Sequence, residues 1–330
     1  MSTQTPTITV IVPNFNHGHL IGNCIDGLLN QEYTDFEVII IDDNSTDQSL
    51  RIIEEKIEHD ERFKLIGLSD NIGVLSVQNM ALERVISKYV YLAAADDYIL
   101  PNFFSDLVEI LDLNADIAFA GKKALIPIIS KSSTYISRPI FTPQGESSIF
   151  TSRQAAEQLK KVDFLYITGA CLIRTKMFKA IGSLDLDLGA FADGVHLRKL
   201  AVKFGYAFIN DFGIVWRRDE SGFSMTELKK SNEFNSKLNK IENIIAADPN
   251  FNDGYEKLLI RRIRFFSEFN RIVSDSLNSK LVCKKSMSNA RVYLLTFFHV
   301  LIFRPFPTIS LIRLLKSNRA SKPEVAGLMK

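Results

Sequence analysis

Cysteine is scarce: Cys24, Cys171 and Cys283 are scattered through 330 residues without a CxxC pair. That spacing excludes a disulfide framework and a cysteine zinc site, and leaves reduced, packed thiols. Two phosphate-binding signatures are also missing. No Gly-x-Gly-x-x-Gly run follows the first apolar stretch, and no Gly-x4-Gly-Lys-Ser/Thr loop occurs anywhere, which removes dinucleotide-binding folds and phosphate-loop NTPases. His17 and His19 lack a third ligand at zinc spacing and read as loop residues. The start, MSTQTPTITVIVP, has no basic stretch, apolar core or small-residue cleavage site, so a cytoplasmic protein is expected. Internal repeats and low-complexity linkers are absent as well.

What remains is globular stock, 46% hydrophobic and 24% charged, too apolar for a disordered chain. The first hundred residues alternate apolar runs at 8–12, 37–41, 63–68 and 89–94 with helical periods near 19–30, 46–58 and 74–87. Uninterrupted apolar runs separated by helices mark parallel strands covered on both faces, so an α/β doubly wound sheet is predicted. Further strand-like runs lie at 117–126, 168–174 and 213–218, with helical pieces near 152–161 and 191–204. Beyond Ser224 only helical period is left, near 226–246 and 253–275 and in the closing segments.

In such sheets ligands sit beyond the carboxyl ends of the strands, which is where PNFN (13–16), DDNSTD (42–47) and ADDYILP (95–101) fall. Ionised carboxylates are costly to take out of water, so Asp42, Asp43, Asp96 and Asp97 must face solvent, cap a helix or hold a ligand. Ser45 or Thr46 could cap the helix that follows them, and Asp96-Asp97 could be turn residues before Pro101. A nucleotide explains the three ends jointly, since carboxylates accept from base N–H and ribose hydroxyls and can hold a hard cation against a diphosphate.

The combined pattern resembles the family 2 glycosyltransferases with the GT-A nucleotide-sugar-binding fold. The likeness runs through ITVIVPNFNHGHLIGNCIDGLLNQEYTDFEVIIIDDNSTD (8–47), NIGVLSVQNMAL (71–82) and YVYLAAADDYILP (89–101). It resumes at ITGACLIRTKMFKAIGSLDLDLGAFADGVHLRKLAVKFGY (167–206). The resemblance covers roughly the first two-thirds of the chain and implies a GT-A type domain with a mostly parallel central sheet over residues 1–224; the helical period beyond it, which the resemblance does not cover, predicts a helical C-terminal extension over 225–330. The resemblance also implies an inverting enzyme that moves a sugar from a nucleotide diphosphate sugar, with uracil as the base, to a saccharide or lipid-linked acceptor in cell-surface polysaccharide assembly. No nucleic-acid partner is expected.

By position, the resemblance assigns Pro13, Asn14, Phe15, Asn16 and Asp43 to the nucleoside pocket, with Asn71 and Gly73 in the loop beside it. It makes Asp96 the ribose or sugar contact, Asp97 the ligand of a diphosphate-bound Mg2+ or Mn2+, and Asp193 the general base. Without the family pattern, Asp193 would read as an early acid favourable to its helix dipole, and His196 as structural. The chain departs from the family at Ala94 and Ala192, where acids are frequent, at Gln78, where an Arg often stands, and at Arg217 and Arg218, near a metal-binding His of some members. The two arginines could touch the diphosphate or pair with Asp219 and Glu220. These departures sustain an alternative, a non-catalytic saccharide- or nucleotide-binding module on the same fold.

The net charge of +2 conceals an asymmetry. From Lys257 to Lys330 there are fifteen Lys/Arg against Glu268, Asp275 and Glu324, a balance of +12, so the body before it carries −10. The run VYLLTFFHVLIF (292–303), flanked by Arg291 and Arg304, falls short of the ~20 residues that span a bilayer. With the basic amphipathic TISLIRLLKSNR (308–319) behind it, it suits an anionic membrane surface at the inner face of the cell membrane. The alternative is a helix docked on the catalytic domain or on a second copy in a homo-oligomer. Truncation at Asn289 is expected to abolish flotation with anionic vesicles at low salt; flotation unchanged by the truncation would return the helix to the protein core.

Overall fold

The computed structural model describes residues 5–127, 135–138, 143, 145–161, 163, 165, 168–217, 223, 231–251 and 254–264. Arg218 to Glu220, Ser224, Cys283 and the two membrane-directed runs, 292–303 and 308–319, lie outside the described residues, as does much of the loop between 127 and 145. Among the described residues no helix is long and apolar enough to cross a membrane.

The first half is built as its periodicity predicts. Strand β1 (Ile8–Asn14), helix α1 (Ile21–Leu29), β2 (Phe36–Asp42), α2 (Ser49–Ile57), β3 (Phe63–Gly67), α3 (Val74–Arg84) and β4 (Tyr89–Leu92) follow in turn. They are joined by the short β5 (Tyr98–Ile99) and helix α4 (Phe103–Asp112), then β6 (Phe119–Pro127), β7 (Tyr135–Arg138), β8 (Ser147–Phe150) and α5 (Ser152–Lys161). Strand β9 (Cys171–Arg174), α6 (Thr175–Ile181), α7 (Ala192–Phe204), β10 (Tyr206–Val215) and α8 (Ser231–Ala247) complete the order, and a last helical stretch covers 255–264.

One sheet holds all ten strands, in the order β3-β2-β1-β4-β9-β6-β10-β5, with β7 on β6 and β8 on β10. The pairs β1–β2, β2–β3, β1–β4 and β6–β10 are parallel. Strand β9 runs antiparallel to both of its neighbours, β4 and β6. Alternation along β1 divides the core: Ile8, Val10 and Val12 pack with α1 and α4, while Ile11 faces the layer of α3, α5, α6 and α7. That second layer continues into Leu238, Ile241 and Ile245 of α8 and into Tyr255, Leu259 and Ile263.

Two elements are longer or shorter than their sequence pattern suggests. Strand β10 starts at Tyr206, well before the apolar run at 213, because register shifts between Phe208 and Ile214 accommodate Asn210 and Asp211. Asp211 turns to the fully buried ammonium of Lys122 at 3.1 Å, which also meets Asp106 at 2.5 Å. Helix α2 begins two to three residues later than a cap at Thr46 or Ser45 would place it.

Gly205 closes α7 with φ 85°, and a Cβ there would come within 2.2 Å of the Phe150 carbonyl oxygen. Both the backbone angle and the space forbid a side chain. Gly205→Ala is expected to lower stability by about 1–3 kcal/mol, read as a lower urea midpoint at unchanged m-value.

Candidate functional site

Three parallel neighbours, β2, β1 and β4, end side by side, so their following loops share one edge of the sheet. The loop after β1 and the loop after β2 are tied together by polar side chains. Buried Asn14 donates from Nδ2 to Asp42 Oδ2 at 2.7 Å and to Ser45 Oγ at 3.2 Å, and its carbonyl accepts from the Asp43 N–H at 2.8 Å. Asn16 and Asn44 adopt left-handed backbone angles, φ 55° and 64°, which Asn tolerates better than most residues. Asn16 Oδ1 accepts from the Thr46 N–H and its own N–H donates to Ser45 Oγ. Ser45 and Thr46 thus lace the two loops and do not cap α2. Asp47 serves the helix start instead, accepting from Ser49 N–H with one oxygen and from Gly18 N–H with the other.

The two adjacent acids have separate tasks. Asp42 is consumed by the loop, accepting from Ser45 N–H and Oγ and from Asn14. Asp43, only 3% exposed, grips the next loop: Oδ1 accepts from Ile72 N–H and Oδ2 from Gly73 N–H, both at 2.8 Å. Asn71 adds a bond from Nδ2 to the Asp43 carbonyl at 3.1 Å. Gly73, with φ 86°, lets the chain turn into α3. Each Asp43 oxygen keeps a further lone pair for a ligand N–H. Phe15 and Ile72, one in each of the two outer loops, stand exposed, and Pro13 is buried.

The loop after β4 carries the second acid pair. Asp97 is buried, and its Oδ1 accepts from the Arg217 backbone N–H at 2.9 Å. Its other oxygen receives no donor from the described residues and faces Gly169, where a Cβ would come to 3.5 Å. Burial first, then the charge of half-buried Asp96, push the Asp97 carboxyl well above its usual range, against the pull of the Arg217 N–H and guanidinium. Two adjacent carboxylates resist full ionisation unless a cation shares their charge. The donor set, hard oxygens with one carboxylate oxygen open, is the chemistry that suits Mg2+ or Mn2+ with phosphate and water as the other ligands. Among the described residues no three His, Cys, Asp or Glu side chains group as a metal site by themselves.

Asp193 sits in the first turn of α7, half-buried, with Oδ1 accepting from Gly194 N–H at 2.6 Å. Burial raises its carboxyl above the ordinary value, opposed by the Gly194 amide, the Thr168 hydroxyl and the Arg198 charge. The Cys171 thiol is pushed up to about 12 by burial and by Asp193. Between the acids lies the turn Thr168–Ala170: Thr168 bonds Asp193, Gly169 borders Asp97, and the Tyr91 hydroxyl fixes the Gly169 carbonyl at 2.8 Å. His196 is stacked on Phe178 at 4.0 Å in the interior, its imidazole pulled down to about 3 by burial, so it is a core residue.

Asn14, Asn16, Asp43, Asn71 and Gly73, which the resemblance groups, are joined in the structure by hydrogen bonds and one turn, and the structure places Asp97 and Asp193 on either side of Thr168–Ala170. Sequence reasoning missed that turn, taking 168–174 as one strand-like run. It also missed Asn79, whose amide donates to the Leu184 carbonyl at 2.8 Å and accepts from the Leu184 N–H at 2.9 Å. Leu184 leads through the 3-10 segment Leu186–Phe191 directly into α7.

Comparison with known proteins bears on this arrangement. The sequence model described as "Glycosyl transferase family 2" matches residues 9–182, just over half of the chain. The uncharacterized glycosyltransferase EpsJ of Bacillus subtilis is 30% identical over 189 residues, 56% of this chain and 52% of that protein. A teichoic acid poly(glycerol phosphate) polymerase of Staphylococcus epidermidis is 36% identical over 91 residues, 27% of this chain and 13% of that protein. The chain thus spans about half the length of such curated relatives, or less. Among solved structures, residues 1–349 of S. aureus TarS in complex with UDP-GlcNAc superpose at TM-score 0.59 and 19% identity, over 83% of this chain and 76% of that one. The mannosyltransferase PcManGT from Pyrobaculum calidifontis in complex with GDP-Man and Mn2+ gives TM-score 0.55 at 14% identity, over 96% and 87%. Identities this low carry the fold alone.

The grip of Asp43 on its neighbouring loop is open to direct measurement. Asp43→Ala removes a charged acceptor from two amides, each bond contributing about 1.5–3 kcal/mol. Hydrogen exchange at Ile72 and Gly73 is expected to accelerate roughly tenfold or more, with exchange in β1 unchanged.

Proposed function

Since the chain belongs to the family 2 glycosyltransferases, we propose that it is an inverting enzyme which moves a sugar from a nucleotide diphosphate sugar, UDP-linked, to a saccharide or lipid-linked acceptor in cell-surface polysaccharide assembly. The observation that carries the reading is the turn at Thr168–Ala170, which has Asp97 on one side and Asp193 on the other. A leaving diphosphate needs positive charge, an attacking hydroxyl needs a base, and one displacement between them inverts the anomeric centre.

Within this reading the loops of Pro13, Asn14, Phe15 and Asn16 and of Asn71 and Gly73 hold the nucleoside, and Asp43 accepts from the base with its remaining lone pairs. Asp96 takes the ribose or sugar, and Asp97 holds a Mg2+ or Mn2+. When bound, that cation supplies charge to the diphosphate. Arg217 adds its own cation on the same side. Asp193 accepts the acceptor's hydroxyl proton, a task that its burial-raised basicity favours. Residues 1–224 form the transferase domain and 225–330 its helical extension, whose distal basic part attaches peripherally to the inner face of the cell membrane, beside a lipid-linked acceptor. Cell-surface polymer synthesis agrees with the name of the teichoic acid poly(glycerol phosphate) polymerase among the relatives.

The test is nucleotide release and product formation on a panel of UDP- and GDP-sugars with Mn2+. Asp193→Asn is expected to lower turnover by roughly 10²–10⁴ while donor binding persists, the usual loss for a general base. Asp97→Ala and excess chelator are each expected to abolish turnover. A native rate in Asp193→Asn, or a product that retains the donor's anomeric configuration, would sink the mechanism; full activity in chelator would sink the cation.

A further inference from the structure

We infer that Arg198 is a positioning residue for Asp193, and that the helical segment beyond residue 231 completes the site by locking Arg198 in place through Asp163. The inference rests on reading Asp193 as the base.

The geometry is a relay of fixed bonds that ends on a buried carboxylate. Arg198 stands one turn after Gly194 on α7, and its Nη1 donates to the Gly194 carbonyl at 2.8 Å, while the Gly194 N–H donates to Asp193 Oδ1. The fit is close: a Cβ on Gly194 would lie 3.2 Å from Nη1. The rest of the guanidinium forks onto Asp163, Nε to Oδ2 at 2.8 Å and Nη2 to Oδ1 at 3.0 Å. Such bidentate pairing fixes the orientation of the guanidinium as well as its position.

Asp163 is in turn held from the other side. Tyr255 Oη donates to its Oδ2 at 3.2 Å, and Arg262 Nη1 lies 3.5 Å from the same oxygen. Arg262 also closes the end of α5, donating to the carbonyls of Leu159 at 2.7 Å and Lys160 at 3.2 Å. Both residues come from the 255–264 helical stretch, beyond the part of the chain that the family model matches. Asp163 Oδ1 accepts from Leu165 N–H as well, three residues before the Thr168 that bonds Asp193. One buried acid therefore orients the base from its own helix and from the adjoining turn. Such an acid is stable only with its full set of partners, since losing one leaves an uncompensated charge.

The groups facing Asp193 are Arg198 on its own helix, the Thr168 hydroxyl on the turn and the Cys171 thiol on β9; Arg198 is the cation among them. Removing that cation should make Asp193 harder to deprotonate, so the rise of rate with pH moves to higher pH. A residue that merely stabilised the fold would leave that limb where it is.

The test uses the full chain. Carboxyl ¹³C titration of Asp193, identified by difference against Asp193→Asn, is run alongside UDP release from the UDP-sugar panel with Mn2+. Arg198→Gln is expected to move the Asp193 midpoint and the acid limb of kcat upward and to lower kcat roughly tenfold or more, with donor KM unchanged. Arg198→Lys, which keeps the charge but loses the fork, should lower kcat without moving the limb, and Tyr255→Phe should lower kcat several-fold. If Arg198→Gln fails to fold, the doubly neutral Asp163→Asn/Arg198→Gln replaces it and is expected to show the same upward shift. An unmoved midpoint in the folded variant, with kcat also unchanged in Tyr255→Phe, overturns the inference. A fully active Asp193→Asn overturns the base assignment instead, and the inference with it; an inactive Asp193→Asn beside unaffected Arg198 and Tyr255 variants overturns the positioning role alone.

Discussion

The cost of keeping a carboxylate away from water organises this molecule. At each place where an acid is buried, the surroundings are arranged to compensate it: Asp42 by Asn14 and Ser45, Asp43 by two loop amides, Asp163 by two arginines and a tyrosine. Those compensations are also what fix the loops, because each draws in a backbone segment from elsewhere in the chain. Asp97 is the exception. Among the described residues it receives one backbone amide and the pull of the Arg217 guanidinium, too little to offset its burial, and its carboxyl stays well above the ordinary range.

A second level of order joins the two halves of the site. Helix α3 starts at Gly73, whose amide Asp43 holds, and near its middle Asn79 clasps the backbone of Leu184 with a reciprocal pair of bonds. The loop that Asp43 holds and the segment that leads to Asp193 are therefore mounted on one short helix. Their spacing is set by helical geometry, a stiffer ruler than a loop would provide.

How much of this could be read from sequence depends on how far each signal reaches along the chain. The strands at 8–12, 37–41, 63–68 and 89–94 and the helix at 152–161 are local patterns, and they stand where expected. That the acids at the ends of β2 and β4 fall on one edge of the sheet was legible because parallel strands end side by side. What was not legible depends on contacts between distant positions. Asn79 meets Leu184 across 105 residues, Arg198 meets Asp163 across 35 and Asp163 meets Tyr255 across 92, and nothing in Asn79, Arg198 or Tyr255 taken alone distinguishes them from ordinary helix residues. The split between Asp42 and Asp43 was hidden for the same reason, since only the neighbouring loops decide which acid is consumed.

The reversed strand β9 has a consequence for how such a molecule can vary. Parallel strands deliver their ends to the cleft, but an antiparallel one delivers its beginning, so the Thr168–Ala170 turn reaches the site as the chain arrives and is anchored in the sheet only afterwards. Of the chain that precedes that turn, the stretch between β7 and β8, which comes before α5 and Asp163, is thus a detour whose length the central strands do not dictate. It can lengthen, shorten or change its chemistry while the two acids beside the turn keep their separation. Such a stretch is where the molecule has latitude to change while Asp97 and Asp193 stay where they are.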